Sequence, residues 1–143
     1  MLPDYKEIYT HNRYEIILPD TTSFYFSLHH LPQHSIFTRP FAIVTAFNPQ
    51  NKVLSKDENM YRDRELYSKL YSYETLKATG CYEEHSEPGY LVFDISLESA
   101  IALGREFEQF AIFYYDRSCL MYLGCEKRSV IVSKKIDSEE SIV

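Results

Sequence analysis

Tryptophan is absent from this chain of 143 residues, glycine occurs four times and cysteine three times. The glycines form neither a phosphate-cradling P-loop nor a dinucleotide fingerprint, and no zinc-binding helix motif or serine elbow is present. Cys81, Cys119 and Cys125 are odd in number and irregularly spaced, which fits neither a disulfide framework nor a zinc motif and points to reduced, mostly buried thiols. No apolar run approaches the roughly 18 residues that a membrane span needs. The N-terminus, Met-Leu-Pro-Asp-Tyr-Lys-Glu, lacks a basic stretch followed by an apolar one, so no secretory signal is expected and the cytoplasm is the expected compartment. Positive charge is short too: the formal charge of −6 argues against a phosphate-backbone partner and leaves nucleic acid disfavoured.

Aromatic side chains are plentiful instead, with thirteen Tyr and nine Phe scattered as core and sheet packing would scatter them. With 45% hydrophobic and 25% charged residues the composition is globular, and the length suits one domain burying roughly two thirds of its unfolded surface. The reading divides it into an N-terminal arm (1–39) with one or two strands, a core (40–125), and a C-terminal edge strand with a flexible tail (126–143).

The core centres on Phe41 to Phe47, apolar except for Thr45 and rich in β-formers, which predicts a central strand buried on both faces. Thr45 must place its hydroxyl on a neighbour, and Asn48-Pro49 ends the strand. Ser55-Lys56-Asp57-Glu58 is a capping box, predicting a helix from Lys56 to about Tyr73 with Asn59, Asp63, Leu66, Leu70 and Tyr73 on one face. Strands follow over Thr75–Glu83 and, past Pro88-Gly89, over Tyr90–Ile95. Ser96 caps a second helix whose Gly104 calls for close packing on the sheet. Phe110–Tyr115 and Cys119–Leu123 form a hairpin about Asp116-Arg117-Ser118, and Ser129–Val132 an edge strand ahead of a tail from Ser133 that should fray. In the arm, Tyr14–Leu18 and Ser23–Leu28 are strands. His29, His30 and His34 have no carboxylate or cysteine in register, so no metal site is expected. This order predicts an α+β ferredoxin-like β-α-β-β-α-β antiparallel sheet with two helices on one face, extended by a strand or two at each end.

Several short motifs occur in a familiar order: Thr45-Ala46-Phe47-Asn48-Pro49, Asn59 with Leu66 and Leu70, Glu87 ahead of a Tyr-Leu-Val strand, Leu103-Gly104, and Phe107-x-Gln109-x-Ala111-Ile112. Together they resemble a small bacterial family, the domain of unknown function 3293, from the N-terminal arm to about Leu123. Phe47 stands where the family pattern expects tryptophan, and Asp63 where it expects asparagine. The resemblance implies kinship and no reaction.

Thr45, Asn48, Asn59, Glu87 and Gln109, with Asp63 nearby on the helix, are the candidate site residues. Two readings of them stay open. Each can tie a loop or helix end to backbone, or together they can form a pocket of amides, a hydroxyl and a carboxylate beside a helix N-terminus, suited to a small polar or anionic ligand. Glu87 is the one plausible general base, with His85 as proton carrier, and no nucleophile accompanies them, so no reaction class and no cofactor are assigned. The alternative function is a protein–protein interaction module, homo- or hetero-oligomeric, working through a sheet edge or face.

Overall fold

A computed structural model describes residues 4–136. It begins with a helix that the sequence reading did not anticipate, α1 (Tyr5–His11), whose Asp4 cap accepts the Glu7 amide at 3.1 Å. The strands β1 (Arg13–Ile17) and β2 (Ser23–Ser27), close to the runs read as strands in the arm, pair as a hairpin. After a 3-10 turn at Ser35–Thr38 come β3 (Phe41–Val44), α2 (Lys56–Lys69), β4 (Thr75–Tyr82), β5 (His85–Phe93) and α3 (Leu97–Glu106). β6 (Ala111–Tyr115), β7 (Cys119–Gly124) and β8 (Val130–Lys135) complete the described chain.

Among the described residues, eight strands form one antiparallel sheet in the order β2-β1-β4-β5-β3-β6-β7-β8. The expected ferredoxin-like sheet with two helices on one face is therefore not the fold. The described residues build a single curled half-barrel with three α-helices. The physical reason is that the terminal strands are not appendages. β1 pairs along all of its length with β4, and β7 and β8 continue the ladder beyond β6, so the sheet is wide enough to roll up. The rings of Phe26 on β2 and Phe113 on β6 lie 5.5 Å apart although four strands separate them in the sheet. In a flat sheet, five strand spacings would hold them about 24 Å apart.

Curling gives the sheet two cores. The inner one gathers Ile16, Phe26, Phe41, Leu91, Phe113 and Tyr122 from strands across the sheet. The outer one sets Ala42, Val44 and Val92 of the sheet against Leu66 of α2 and Ala100 and Ile101 of α3. α1 covers the inner side, with the Tyr9 ring stacked on Tyr122 at 4.6 Å. Every residue of β3 is buried, as a strand enclosed on both faces requires.

Local signals held with shifted bounds. The Ser55–Glu58 capping box forms, but α2 stops at Lys69, where Leu70 closes the last turn onto the Tyr67 carbonyl at 3.0 Å. Pro88-Gly89 does not separate two strands: β5 runs through both. Pro88 is tolerated because its ladder edge points past the end of β3, where the Thr45 hydroxyl donates to the Pro88 carbonyl at 2.7 Å and no strand asks for an N–H. Gly89 is required there, since a Cβ would sit 2.5 Å from the Val44 carbonyl oxygen. Ser133–Lys135 lie within β8, and the predicted tail beyond residue 136 falls outside the described residues.

Candidate functional site

The peptide leaves β3 at Thr45 and turns sharply. Asn48 takes a left-handed conformation at φ 48°, as do Gln50 at 50° and Asn51 at 63°, in a loop without glycine. Asparagine tolerates this region because its short amide can bond locally. The Asn48 backbone N–H donates to Asn59 Oδ1 at 2.9 Å, and Asn59 Nδ2 donates back to Asn48 Oδ1 at 2.9 Å. Asn48 Oδ1 also accepts the Leu54 amide at 3.1 Å, so one side chain closes the loop between β3 and α2. Its remaining polar group, Nδ2, donates to Glu87 Oε2 at 3.0 Å.

Glu87 thus stands on β5 with one oxygen held by Asn48. Its other oxygen accepts no protein donor among the described residues. Burial raises its pKa above the ordinary glutamate value, an effect that the Asn48 hydrogen bond and the charge of His85 only partly offset. Gln109, itself buried, spends its amide nitrogen on the Phe47 carbonyl at 3.0 Å and the Phe107 carbonyl at 3.1 Å. Arg62 of α2 braces the same rim, with Nε on the Ala46 carbonyl at 2.8 Å and Nη2 on the Phe107 carbonyl. The left-handed Glu108 closes the rim from the far side, its carbonyl accepting the Gln50 amide at 2.7 Å.

Beside these groups lies a cavity of about 320 Å³ between α1 and the inner face of the sheet. Of the candidate residues, Thr45, Glu87 and Gln109 line it. Asn48 stands behind Glu87, and Asn59 behind Asn48. Asp63 is not part of this group: its Oδ2 accepts the Tyr90 hydroxyl at 2.7 Å on the outer face, while its Oδ1 is buried without a partner among the described residues. Two of the candidates also do the local work that the plainer reading assigned them. Thr45 satisfies the Phe47 amide at 3.1 Å and the Pro88 carbonyl, and Gln109 ties down two backbone carbonyls.

Most of the cavity wall went unseen in the sequence. Tyr5 and Tyr9 come from α1, Asn12 and Tyr14 from the segment that follows it, and Tyr122 from β7. The four-residue spacing of Tyr5 and Tyr9 is a helical one, yet seven residues hold too few turns to announce themselves. Asn12 Nδ2 donates to the Tyr122 hydroxyl at 3.0 Å. Burial pushes the Tyr122 phenol up to about 12, and burial together with neighbouring phenols and Glu87 lifts Tyr9 and Tyr14 well above the usual tyrosine range. All three rings therefore stay protonated and uncharged near neutral pH. Among the described residues Glu87 is the cavity's one carboxylate and His85 its one imidazole, and no lysine or arginine lines it. Such a lining can bind. Among the described residues no cysteine borders it and no activated nucleophile faces a general base in it.

Residues 44–112 match a family described as a protein of unknown function, DUF3293. The matched span runs from the last residue of β3 to the second of β6 and contains all six candidate residues. It is narrower than the arm-to-Leu123 resemblance and leaves out α1, β1 and β7. No curated protein and no solved structure significantly matches the chain. Among the described residues, no helix is long and apolar enough to cross a membrane.

Proposed function

We propose that this chain, which belongs to the DUF3293 family through residues 44–112, binds a small polar molecule in the cavity beneath α1. The observation that carries this reading is the Asn59–Asn48–Glu87 relay. Two side chains, one from a helix and one from a loop, are spent on fixing a strand carboxylate at the edge of a cavity, where burial makes its ionised form costly. A fold seeking stability alone would gain by placing an apolar group there. The volume lies at the small end of the range for ligand pockets, and tyrosine rings with a few placed polar groups are typical of their walls.

An anionic ligand loses its support. The N-terminus of α2 is already occupied by the Ser55–Glu58 capping box and carries Asp57 and Glu58, and among the described residues no lysine or arginine lines the cavity. A thermal-shift screen across amines, nucleosides, amino acids and sugars tests the reading. Some compounds should raise the melting temperature of the wild type more than that of the Asn48→Ala/Glu87→Ala double variant. If none does, the reading falls.

A second reading, partner binding, rests on an observation elsewhere. Met60, Tyr67 and Tyr71 lie along one exposed side of α2 and its C-terminal extension, Tyr71 at 89% exposure. Light scattering of wild type and of Tyr67→Ser/Tyr71→Ser tests it. A wild type that stays monomeric at high concentration would count against self-association.

A further inference from the structure

We infer, resting on the pocket reading above, that the ligand is a small organic cation whose charge sits at Glu87 and whose body lies against Tyr9, Tyr14 and Tyr122. The geometry supplies three separate grounds. The first is the carboxylate itself: Asn48 holds Oε2 at 3.0 Å and so fixes the plane of the group, while Oε1 has no protein donor among the described residues. An ammonium, amidinium or guanidinium can donate to that oxygen in a charge-assisted hydrogen bond.

The second ground is the wall. Tyr9 and Tyr122 are stacked at 4.6 Å with 19° between their planes, and Tyr14 lies 6.2 Å from Tyr122 at 18°. Stacked in this way the rings cover one another's faces, and what three uncharged phenols offer beside the carboxylate is a neutral, largely apolar wall that suits the organic body of a cation. The third ground is the absence of competition. Among the described residues no lysine or arginine lines the cavity, and His85, which can offer positive charge from the same strand, is exposed at its mouth. A neutral or acidic ligand closing over Glu87 would leave a desolvated charge unpaired, which proteins avoid. The volume, about 320 Å³, suits a free small molecule rather than a chain segment.

Charge-matched probes test this on the full chain. Titration calorimetry with tyramine and benzyltrimethylammonium, against 4-ethylphenol and 4-hydroxyphenylacetate, separates charge from shape. We expect at least one of the two cations to bind tenfold or more tightly than both the neutral and the acidic probe. Glu87→Gln should remove most of that preference, because it keeps the size and can still accept from Asn48. The wild-type comparison decides even if the variant folds poorly. Equal or tighter binding of the neutral or acidic probe would overturn the cation assignment and leave the pocket reading standing. Binding by none of the four also overturns it, whereas the pocket reading falls only if the wider screen is blank as well.

Discussion

Asn48 and Glu87 are 39 residues apart in sequence and 3.0 Å apart in space, amide nitrogen to carboxylate oxygen. The bond joins the loop after β3 to the third residue of β5. The same Asn48 side chain accepts from Leu54 and Asn59, so the shape of the loop and the position of the carboxylate depend on one residue.

Replacing Asn48 separates two contributions. Asn48→Gly keeps the left-handed backbone and loses the side-chain bonds, which should cost about 1–3 kcal/mol in urea unfolding. Asn48→Ala loses the same bonds and must also hold a Cβ at φ 48°, adding about 1 kcal/mol. Equal losses for the two variants would mean that the loop rearranges.

Glu87 carries a signature in pH. Its carboxyl holds a proton more tightly in the folded chain than in the unfolded one, because burial penalises the charge. The stability tied to the protonated form is therefore complete below the ordinary glutamate pKa and is lost as pH rises through the raised, folded value. The groups that face it are Tyr9 on α1, Tyr14 on β1, Asn48 on the loop and His85 on its own strand, and of these only His85 can carry positive charge. Glu87→Gln has no such proton to lose. Its stability relative to wild type should increase from about pH 4 upward and then level off. A difference that stays flat to about pH 7 would show that Glu87 is not desolvated.

Gly104 should resist substitution although it lies within a helix, in the last turn of α3. A Cβ there would come within 2.5 Å of Cys125 Sγ and 2.9 Å of Ile112 Cγ2, both in the outer core. Gly104→Ala gains about 1 kcal/mol in helix propensity and should still be destabilised overall by about 1–2 kcal/mol through overpacking. Trimming the sulfur with Cys125→Ala should recover part of the loss, which a double-variant cycle measures.

Tyr9 fastens α1 over the cavity. Tyr9→Phe should be close to neutral, since the hydroxyl has no protein partner among the described residues and the stack on Tyr122 survives. Tyr9→Ala should cost about 2–4 kcal/mol from lost burial and stacking and should weaken binding of any cavity ligand. Thermal melts and the titrations above read both effects.

How much of this was legible beforehand follows from the range of each interaction. Ser55 and Glu58 are three residues apart, and their capping box could be read directly; so could the turn at Asp116 and the buried apolar run of β3. Asn48, Asn59, Glu87 and Gln109 were marked as polar residues in motifs, and the structure gathers them at one rim. Asp63 shares a helix face with Asn59, but one further turn carries it to Tyr90 and away from the cavity. Periodicity gives a face and not a position along it.

By itself the chain's order of residues determined the strands, two of the three α-helices among the described residues and the polar residues worth watching, because those depend on neighbours a few positions apart. Only the tertiary structure decided that the sheet curls until Phe26 meets Phe113, and that Tyr9 settles on Tyr122, 113 residues away. Curling depends on how many strands join the ladder and on which aromatic rings fill the space inside it. Those are sums over the whole chain that no local stretch contains, and the cavity exists because of them.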